Sequence, residues 1–290
     1  MTDTQIHDLG YRSYSGERAG VPGAVRSLVV HTMRRSLGLK RPARHKIAPA
    51  IALVIAYAPA IAMTGFAAFL RADFVADLLG YGEYFGITGL AMLLFAAVVA
   101  PGVITTDRTN GMLALYLASP LTRSTYVLAR AIGIFLVMLI VAVGPIVFLI
   151  LGYTFAGIGP GGIVEVIEIL GRALFAGLLS AVLYTGVAMF LASIPRRWGI
   201  ASVTIVAFFL IVGIVTVGLT ESIDVSDWVA LGSPADVMGE AAERIMDDTA
   251  IAIPALDRLP SAALVLTAAA YGVVAAGATW WRYQRIRVER

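Results

Sequence analysis

Six long apolar stretches without a single charged side chain alternate with short polar segments along the chain. They span residues 47–70, 84–106, 131–156, 173–194, 199–220 and 261–281. A hydrocarbon core of roughly 30 Å is crossed by about 20 helical residues. Because the stretches are continuously apolar and too long for alternating barrel strands, they indicate helices. The pattern therefore predicts an all-α membrane protein with six transmembrane helices.

The distribution of basic residues between these stretches predicts the orientation of the helices. Of the 22 Lys and Arg residues, 18 fall on one side and four on the other. Because the basic side of a membrane protein is the cytoplasmic one, both termini are predicted to be cytoplasmic. This divides the chain into a cytoplasmic N-terminal part (1–46), a transmembrane domain (47–281) with an extracellular loop (221–260), and a basic cytoplasmic tail (282–290). No cleavable signal is predicted, since residues 1–46 are long and polar. The expected location is the cell (plasma) membrane, as a multi-pass protein.

Composition supports a membrane protein and excludes several chemistries. Hydrophobic residues make up 59% of the chain and charged residues 14%, far from the balance of a soluble domain. The chain has no cysteine, and its three histidines precede the first apolar stretch. Its two lysines, Lys40 and Lys46, are followed by Arg41 and Ile47, so a phosphate-binding loop is missing. We therefore expect no enzyme activity, no metal and no cofactor in this chain, and no nucleic-acid partner.

The apolar stretches contain no Asp, Glu, Lys, Arg or His. Ion-coupled carriers and proton pumps need such residues at membrane depth, and intramembrane hydrolases need a catalytic set of them. The main polar groups there are interpreted as hydrogen-bonding groups between helices: Ser180, Tyr184, Ser193, Ser202 and Tyr271. Contact with a substrate is the alternative. Gly177 and Gly272 each precede a small residue by four positions, which favours close helix packing.

An amphipathic helix is predicted before the first apolar stretch, over residues 22–40. Apolar and small residues recur there every three or four positions, and basic residues lie on the other faces. We expect this helix to lie in the cytoplasmic membrane interface, with its basic groups near anionic lipid headgroups. The alternative is a surface helix packed on protein. The basic residues are Arg26, Arg34, Arg35 and Lys40.

The polar segment between the second and third stretches carries a motif. It resembles the signature of type-2 ABC transporter permeases, which reads Glu-Arg-x-x-Gly-Thr-Leu-Glu, then Leu-Leu, then Ser-Pro-Leu-x-Arg. This chain departs from it by Asp for the first Glu, Met for Thr, Ala for the second Glu and Tyr for Leu. Residues 7–18 resemble the tail of some actinobacterial members, which implies a bacterial source. The matching positions are Asp107, Arg108, Gly111, Leu113, Leu115, Ser119, Pro120, Leu121 and Arg123, and the departures after Asp107 are Met112, Ala114 and Tyr116.

The resemblance implies that this segment is a short cytoplasmic coupling helix that binds in a cleft of an ABC ATPase. It also implies two ATPase subunits, which bind ATP and Mg, and a second permease copy or a paralogue. The residues agree with this role, because a helix ending at Pro120 would expose Met112, Leu113, Tyr116 and Leu117 to a groove. Asp107 and Arg108 would orient it by charge-assisted bonds. The alternative is a loop helix packed under its own bundle. The expected coupling residues are Asp107, Arg108, Gly111, Met112, Leu113, Leu115, Tyr116, Pro120 and Arg123.

The loop 221–260 is rich in acidic residues and predicts a helix of its own. Ser233 and Pro234 form a typical helix start, and an apolar face follows from Met238 to Met246. We interpret its charge as solvated negative surface, with cation binding as the alternative.

These observations together predict the membrane subunit of a dimeric ABC exporter. It would move a hydrophobic or amphipathic substrate, as multidrug efflux systems do, because its spans offer an apolar path. One alternative is a mechanotransmitting subunit that drives an extracytoplasmic partner through the loop 221–260 without moving cargo. A third, from another class, is an ATP-independent carrier or intramembrane enzyme.

Overall fold

The structure is a computed structural model that describes residues 19–39, 42, 46–69, 80–222, 225–247 and 253–285. The tail motif at 7–18, Lys40 and the end of the basic tail lie outside the described residues. Over the described ranges the chain is helical and contains no strand. Six of its helices are long and apolar enough to cross a membrane. The predicted fold class, an all-α protein with six transmembrane helices, is confirmed.

Eleven α-helices are numbered here in chain order over the described residues. A π-helical turn, Pro101–Thr105, joins α3 to α4, and a 3₁₀ turn, Asp227–Gly232, precedes α9. The candidate spans are α2, α3 continued through α4, α6, α7, α8 and α11. The helices are α1 Gly20–Ser36, α2 Ile47–Phe69, α3 Glu83–Ala100, α4 Thr106–Thr109, α5 Met112–Leu117, α6 Arg123–Ala156, α7 Ile163–Ser193, α8 Trp198–Ser222, α9 Pro234–Ile245, α10 Pro254–Asp257 and α11 Ser261–Arg285.

Several helices extend beyond the apolar stretches that predict them. The third spanning helix begins at Arg123, where Thr122 and Thr125 form a reciprocal N-terminal cap, rather than at 131. The fourth begins at Ile163 rather than at 173. Beyond the apolar stretches these helices carry charged residues, of which Asp107 and Arg130 are buried.

Glycines permit the closest helix crossings of the bundle. A Cβ on Gly272 of α11 would lie 2.6 Å from the carbonyl oxygen of Val182 in α7, and Gly186 faces the same crossing. Gly177 of α7 meets Val143 of α6 in the same way. The predicted role of Gly177 and Gly272 in close packing is confirmed, because no larger residue fits at these crossings.

Helix α1 packs along the start of α6. Leu28, Thr32 and Ser36 form its buried face, and a Cβ on Gly133 of α6 would lie 2.6 Å from Thr32 Cβ. The alternative of a helix packed on protein is therefore observed for this face, while the other face remains exposed. Its placement in a membrane interface stays a prediction.

The acidic segment between α8 and α11 folds into a compact cap, defined here as residues 225–247 and 253–260. Ser233 caps α9 by accepting a hydrogen bond from the Asp236 N–H, and Pro234 is the first helical residue. Arg244 donates to the carbonyl oxygens of Leu256 and Leu259 at 2.8 and 2.6 Å. The predicted helix start is confirmed, and the buried face of α9 packs on α3, α7 and α11.

Candidate functional site

The segment between α3 and α6 reverses its direction at Gly111. The π-helical turn ends α3, α4 follows for four residues, and Gly111 then reverses the chain with a φ of 65°. That left-handed backbone conformation favours glycine, because a Cβ is strained there. Helix α5 consequently lies across the bundle end where α1 and the start of α6 meet.

Asp107 is the centre of a buried group of polar side chains, named here the Asp107 cluster: Thr32, Arg35, Asp107, Tyr126 and Arg130. Arg35 Nη1 donates to Asp107 Oδ1 at 2.9 Å, and Tyr126 Oη donates to Oδ2 at 2.8 Å. Arg130 forms a direct ion pair with Oδ2 and donates to Thr32 Oγ1 at 2.8 Å. One carboxylate therefore joins α1, α4 and α6.

Helix α5 packs directly on this cluster through an aromatic ring. The Arg130 guanidinium lies 5.0 Å from the centroid of the Tyr116 ring, and the rings of Tyr116 and Tyr126 are 5.5 Å apart. A cation over an aromatic face is attracted by its quadrupole, more strongly where water is excluded. The inner face of α5 is therefore fixed to a charged and buried support.

Neighbouring residues join the same segment to the end of α7. Thr105 Oγ1 donates to the Ala192 carbonyl at 2.7 Å, and Arg108 donates to the Ser193 carbonyl. Thr109 Oγ1 donates to the Arg196 carbonyl at 2.8 Å. The first two bonds satisfy carbonyl groups that the end of α7 leaves without intrahelical partners, and the third reaches the turn after α7.

Two further bonds join the beginning of α6 to α11. Arg123 Nη1 donates to the Gln284 carbonyl at 2.6 Å, and the indole of Trp280 donates to Ser124 Oγ at 3.1 Å. The segment from Thr105 to Arg123 is thus bonded to α1, α6, α7 and α11 at one end of the bundle.

The exposed face of α5 differs from the predicted one. Leu115 is 63% exposed, whereas Leu113 is 5% exposed and packs into the core. Met112 and Tyr116 are half-buried. The expectation that Leu113 projects from the bundle is wrong, because Leu113 is buried in the core. Tyr116 and Leu117, which were also expected to project, are half-buried, and the Tyr116 ring faces Arg130 and Tyr126. The exposed positions are Gly111, Ala114, Leu115, Ala118, Ser119 and Pro120.

Three charged residues bond within their own bundle. Asp107 and Arg108 make the expected charge-assisted bonds, and the partners of these bonds lie in α1, α6 and α7. Arg35 bonds to Asp107 rather than to a lipid headgroup, while Arg26 and Arg34 are exposed. Contacts within the Asp107 cluster join residues 72 and 98 positions apart. The sequence motif covers only a short segment, so it could not predict them.

The polar residues of the spans were expected to bond between helices. Ser180 instead donates to the Ala176 carbonyl of its own helix at 2.9 Å. Tyr184 stacks on Phe209 of α8, with ring centroids 5.1 Å apart. Tyr271 alone among the predicted residues bonds to another element, donating to the Leu231 carbonyl at 2.9 Å.

The fold and this segment define a class: a multi-pass helical membrane protein with a rigidly supported short helix at one end of its bundle. Comparison with family models places it more closely. The model described as "ABC-2 family transporter protein" matches residues 47–276, and the chain belongs to this family. A comparison with curated proteins finds no match. The chain is therefore a permease domain of an ABC transporter, and such domains work with separate ABC ATPase partners.

Proposed function

We propose that this chain is the membrane subunit of an ABC exporter that moves a hydrophobic or amphipathic substrate with energy from a separate ATPase. Membership of the ABC-2 family supports the permease role. The chain has no phosphate-binding loop, so ATP and Mg would be bound by the partner. In this proposal two permease chains, identical or paralogous, pair in the cell membrane with both termini cytoplasmic.

The observation that carries the proposal is the contrast between the two faces of α5. On its inner face Leu113 is buried in the core and Tyr116 packs on the Asp107 cluster. Its outer face presents Leu115 as an exposed apolar side chain beside small residues. A short helix with an apolar outer face and a rigid support is suited to a groove on a partner protein.

The bonds behind α5 give a route for motion. Displacement of α5 would pull α1 and α6 through Asp107, α7 through Arg108, and α11 through Arg123. Closely packed elements move as units rather than deforming continuously. ATPase closure would therefore tilt the bundle as a body and open a path for the substrate.

An exposed leucine substitution tests the docking surface. Leu115→Ser removes the apolar contact, and we expect the affinity for the ATPase subunit to fall on the order of tenfold. Leu39→Ser is the matched control, because Leu39 is 50% exposed on the same predicted side of the membrane. The proposal predicts that transport and copurification of the ATPase fail only in the Leu115 variant. Equal behaviour of the two variants would contradict it.

The mechanotransmitting alternative depends on a free docking surface in the loop 221–260. The apolar face of α9, which includes Val237 and Ala241, is buried against the bundle of this chain. In the described part of the loop no observation favours the alternative.

A further inference from the structure

The exposed surface around α5 continues onto the turn between α7 and α8, residues 194–197. Thr109 Oγ1, which lies shortly before α5, donates to the Arg196 carbonyl of this turn at 2.8 Å. Residues 109–111 are exposed, as are both arginines of the turn, Arg196 and Arg197. The outer face of α5 and the turn therefore form one continuous surface at the same end of the bundle.

Two more guanidinium groups meet at the end of α7, directly before this turn. Arg108 and Arg282 both donate to the carbonyl oxygen of Ser193, and the bond from Arg282 Nε is 3.1 Å long. The two side chains come from α4 and α11, so three helices meet at one backbone atom. Together with Arg196 and Arg197, these two arginines are named here the basic rim.

The basic rim has no counter-charge within the described part of the chain. None of its arginines forms an ion pair with a described acidic residue. Asp107 is the one described acidic residue at this end of the bundle, and it is buried in ion pairs with Arg35 and Arg130. The other described acidic residues lie at the opposite end, in the cap, at the beginnings of α3 and α7 and at the end of α8.

Part of the charge of the basic rim has a local explanation. The carboxyl end of a helix carries about half a negative charge and favours a nearby guanidinium group. The Ser193 carbonyl at the end of α7 therefore accounts for the positions of Arg108 and Arg282. It does not account for Arg196 and Arg197, which are exposed. A preference for basic residues on the cytoplasmic side explains their side of the membrane, but not their position beside α5.

We propose that the basic rim is part of the surface that binds the ATPase, and that it pairs with carboxylates bordering the groove that receives α5. This inference rests on the proposed function and deepens it by naming the chemistry of the partner, an apolar groove with an acidic edge. Protein interfaces commonly combine an apolar centre with a polar edge, and here Leu115 and the basic rim provide the two. Guanidinium groups suit this edge because they bind carboxylates through two parallel hydrogen bonds.

The two parts of this surface are expected to act on different steps of binding. Charges at the edge of an interface raise the association rate and make the affinity depend on salt, because ions screen exposed charges. Loss of an apolar contact mainly raises the dissociation rate. Removing the rim charges should therefore slow association, whereas removing the Leu115 side chain should speed dissociation.

The test measures binding of the ATPase subunit of the complex to the permease in nanodiscs of phosphatidylcholine, a zwitterionic lipid. The double variant Arg196→Gln/Arg197→Gln is expected to lower the affinity on the order of tenfold at low salt, through slower association. The difference from the unchanged protein should shrink at high salt. Arg26→Gln/Arg34→Gln is the matched control, because it removes the same charge from exposed arginines of α1 and should leave the affinity unchanged.

Three outcomes would overturn the proposal. One is an unchanged ATPase affinity in the rim variant at low salt. Another is an equal loss in the rim variant and in the α1 variant, since the net charge of this end would then explain the effect. The third concerns lipid headgroups and uses nanodiscs that contain phosphatidylglycerol. A rim variant that loses bound phosphatidylglycerol but keeps its affinity for the ATPase would assign the rim to lipid.

The outcomes also separate this inference from the exporter proposal. If the rim variant binds the ATPase normally while Leu115→Ser does not, the docking of α5 stands and the role of the rim is wrong. If the rim variant weakens binding while Leu115→Ser has no effect, the rim stands and the docking of α5 fails.

Discussion

Asp107 and Asp236 are carboxylates in partly or fully buried positions at opposite ends of the same bundle, and their surroundings differ. Asp107 receives bonds from Arg35, Tyr126 and Arg130. Asp236 Oδ2 receives none from the described residues. Paired buried charges hold elements in one arrangement, whereas an unpaired one joins no elements. The comparison indicates that a buried, ion-paired carboxylate holds the α5 end of the bundle, whereas the Asp236 carboxylate does not hold the cap end in this way.

The largest effect on stability is expected from neutralising the Asp107 carboxylate. Asp107→Asn leaves the guanidinium groups of Arg35 and Arg130 without their counter-charge in a buried site. We expect the free energy of unfolding to fall by about 3–5 kcal/mol. Denaturant titration of the purified protein in micelles measures this. A loss below about 1 kcal/mol would show that the cluster is not what holds α1, α4 and α6 together.

The next effect concerns the support of the cap. Arg244→Gln removes the bonds to the carbonyls of Leu256 and Leu259 and the ion pair with Glu240. We expect a loss of about 2 kcal/mol, confined to the cap, because bonds from a charged donor are stronger than neutral ones. Hydrogen exchange should accelerate at 254–259 and remain unchanged at 107–117. Acceleration at both ends would contradict the separation of the two regions.

A smaller effect is expected at the beginning of α9. Ser233→Ala removes the side chain that accepts the Asp236 N–H. Loss of such a cap costs about 1 kcal/mol or less, and it should loosen the first turn of α9. The same hydrogen-exchange experiment, read at 234–240, measures it. Ser233→Thr keeps a hydroxyl acceptor and is the control. If both variants exchange hydrogen at the same rate, the side chain at position 233 does not stabilise the start of α9.

The smallest effect sharpens the comparison by using an exposed ion pair. Asp247→Asn breaks the contact of Arg172 with Asp247, which lies at the surface of the cap end. Exposed pairs are screened by water and salt, so we expect no measurable change in stability. A loss as large as that of Asp107→Asn would show that burial does not explain the difference between the ion pairs.

The sequence predicted the features that depend on local chemistry. The apolar stretches predicted all six spans, and Ser233 with Pro234 predicted the start of α9. The sequence did not predict contacts between residues that are far apart along the chain. Arg35 and Arg130 bond to Asp107 from positions 72 and 23 residues away. The spacing of the apolar residues alone predicted that Leu113 is exposed. Nothing in the neighbouring sequence indicates that α5 packs on the bundle, with its Tyr116 ring on Arg130.

The central claim is that the outer face of α5, and not its inner face, binds the ATPase. A photoreactive residue placed at 115 or at 113 in the transporting complex tests it most directly, because these positions are two residues apart and differ from 63% to 5% in exposure. We predict a crosslink to the ATPase from position 115 and only intrachain crosslinks from position 113. A crosslink to the ATPase from 113, or none from 115 in an active complex, would contradict the account.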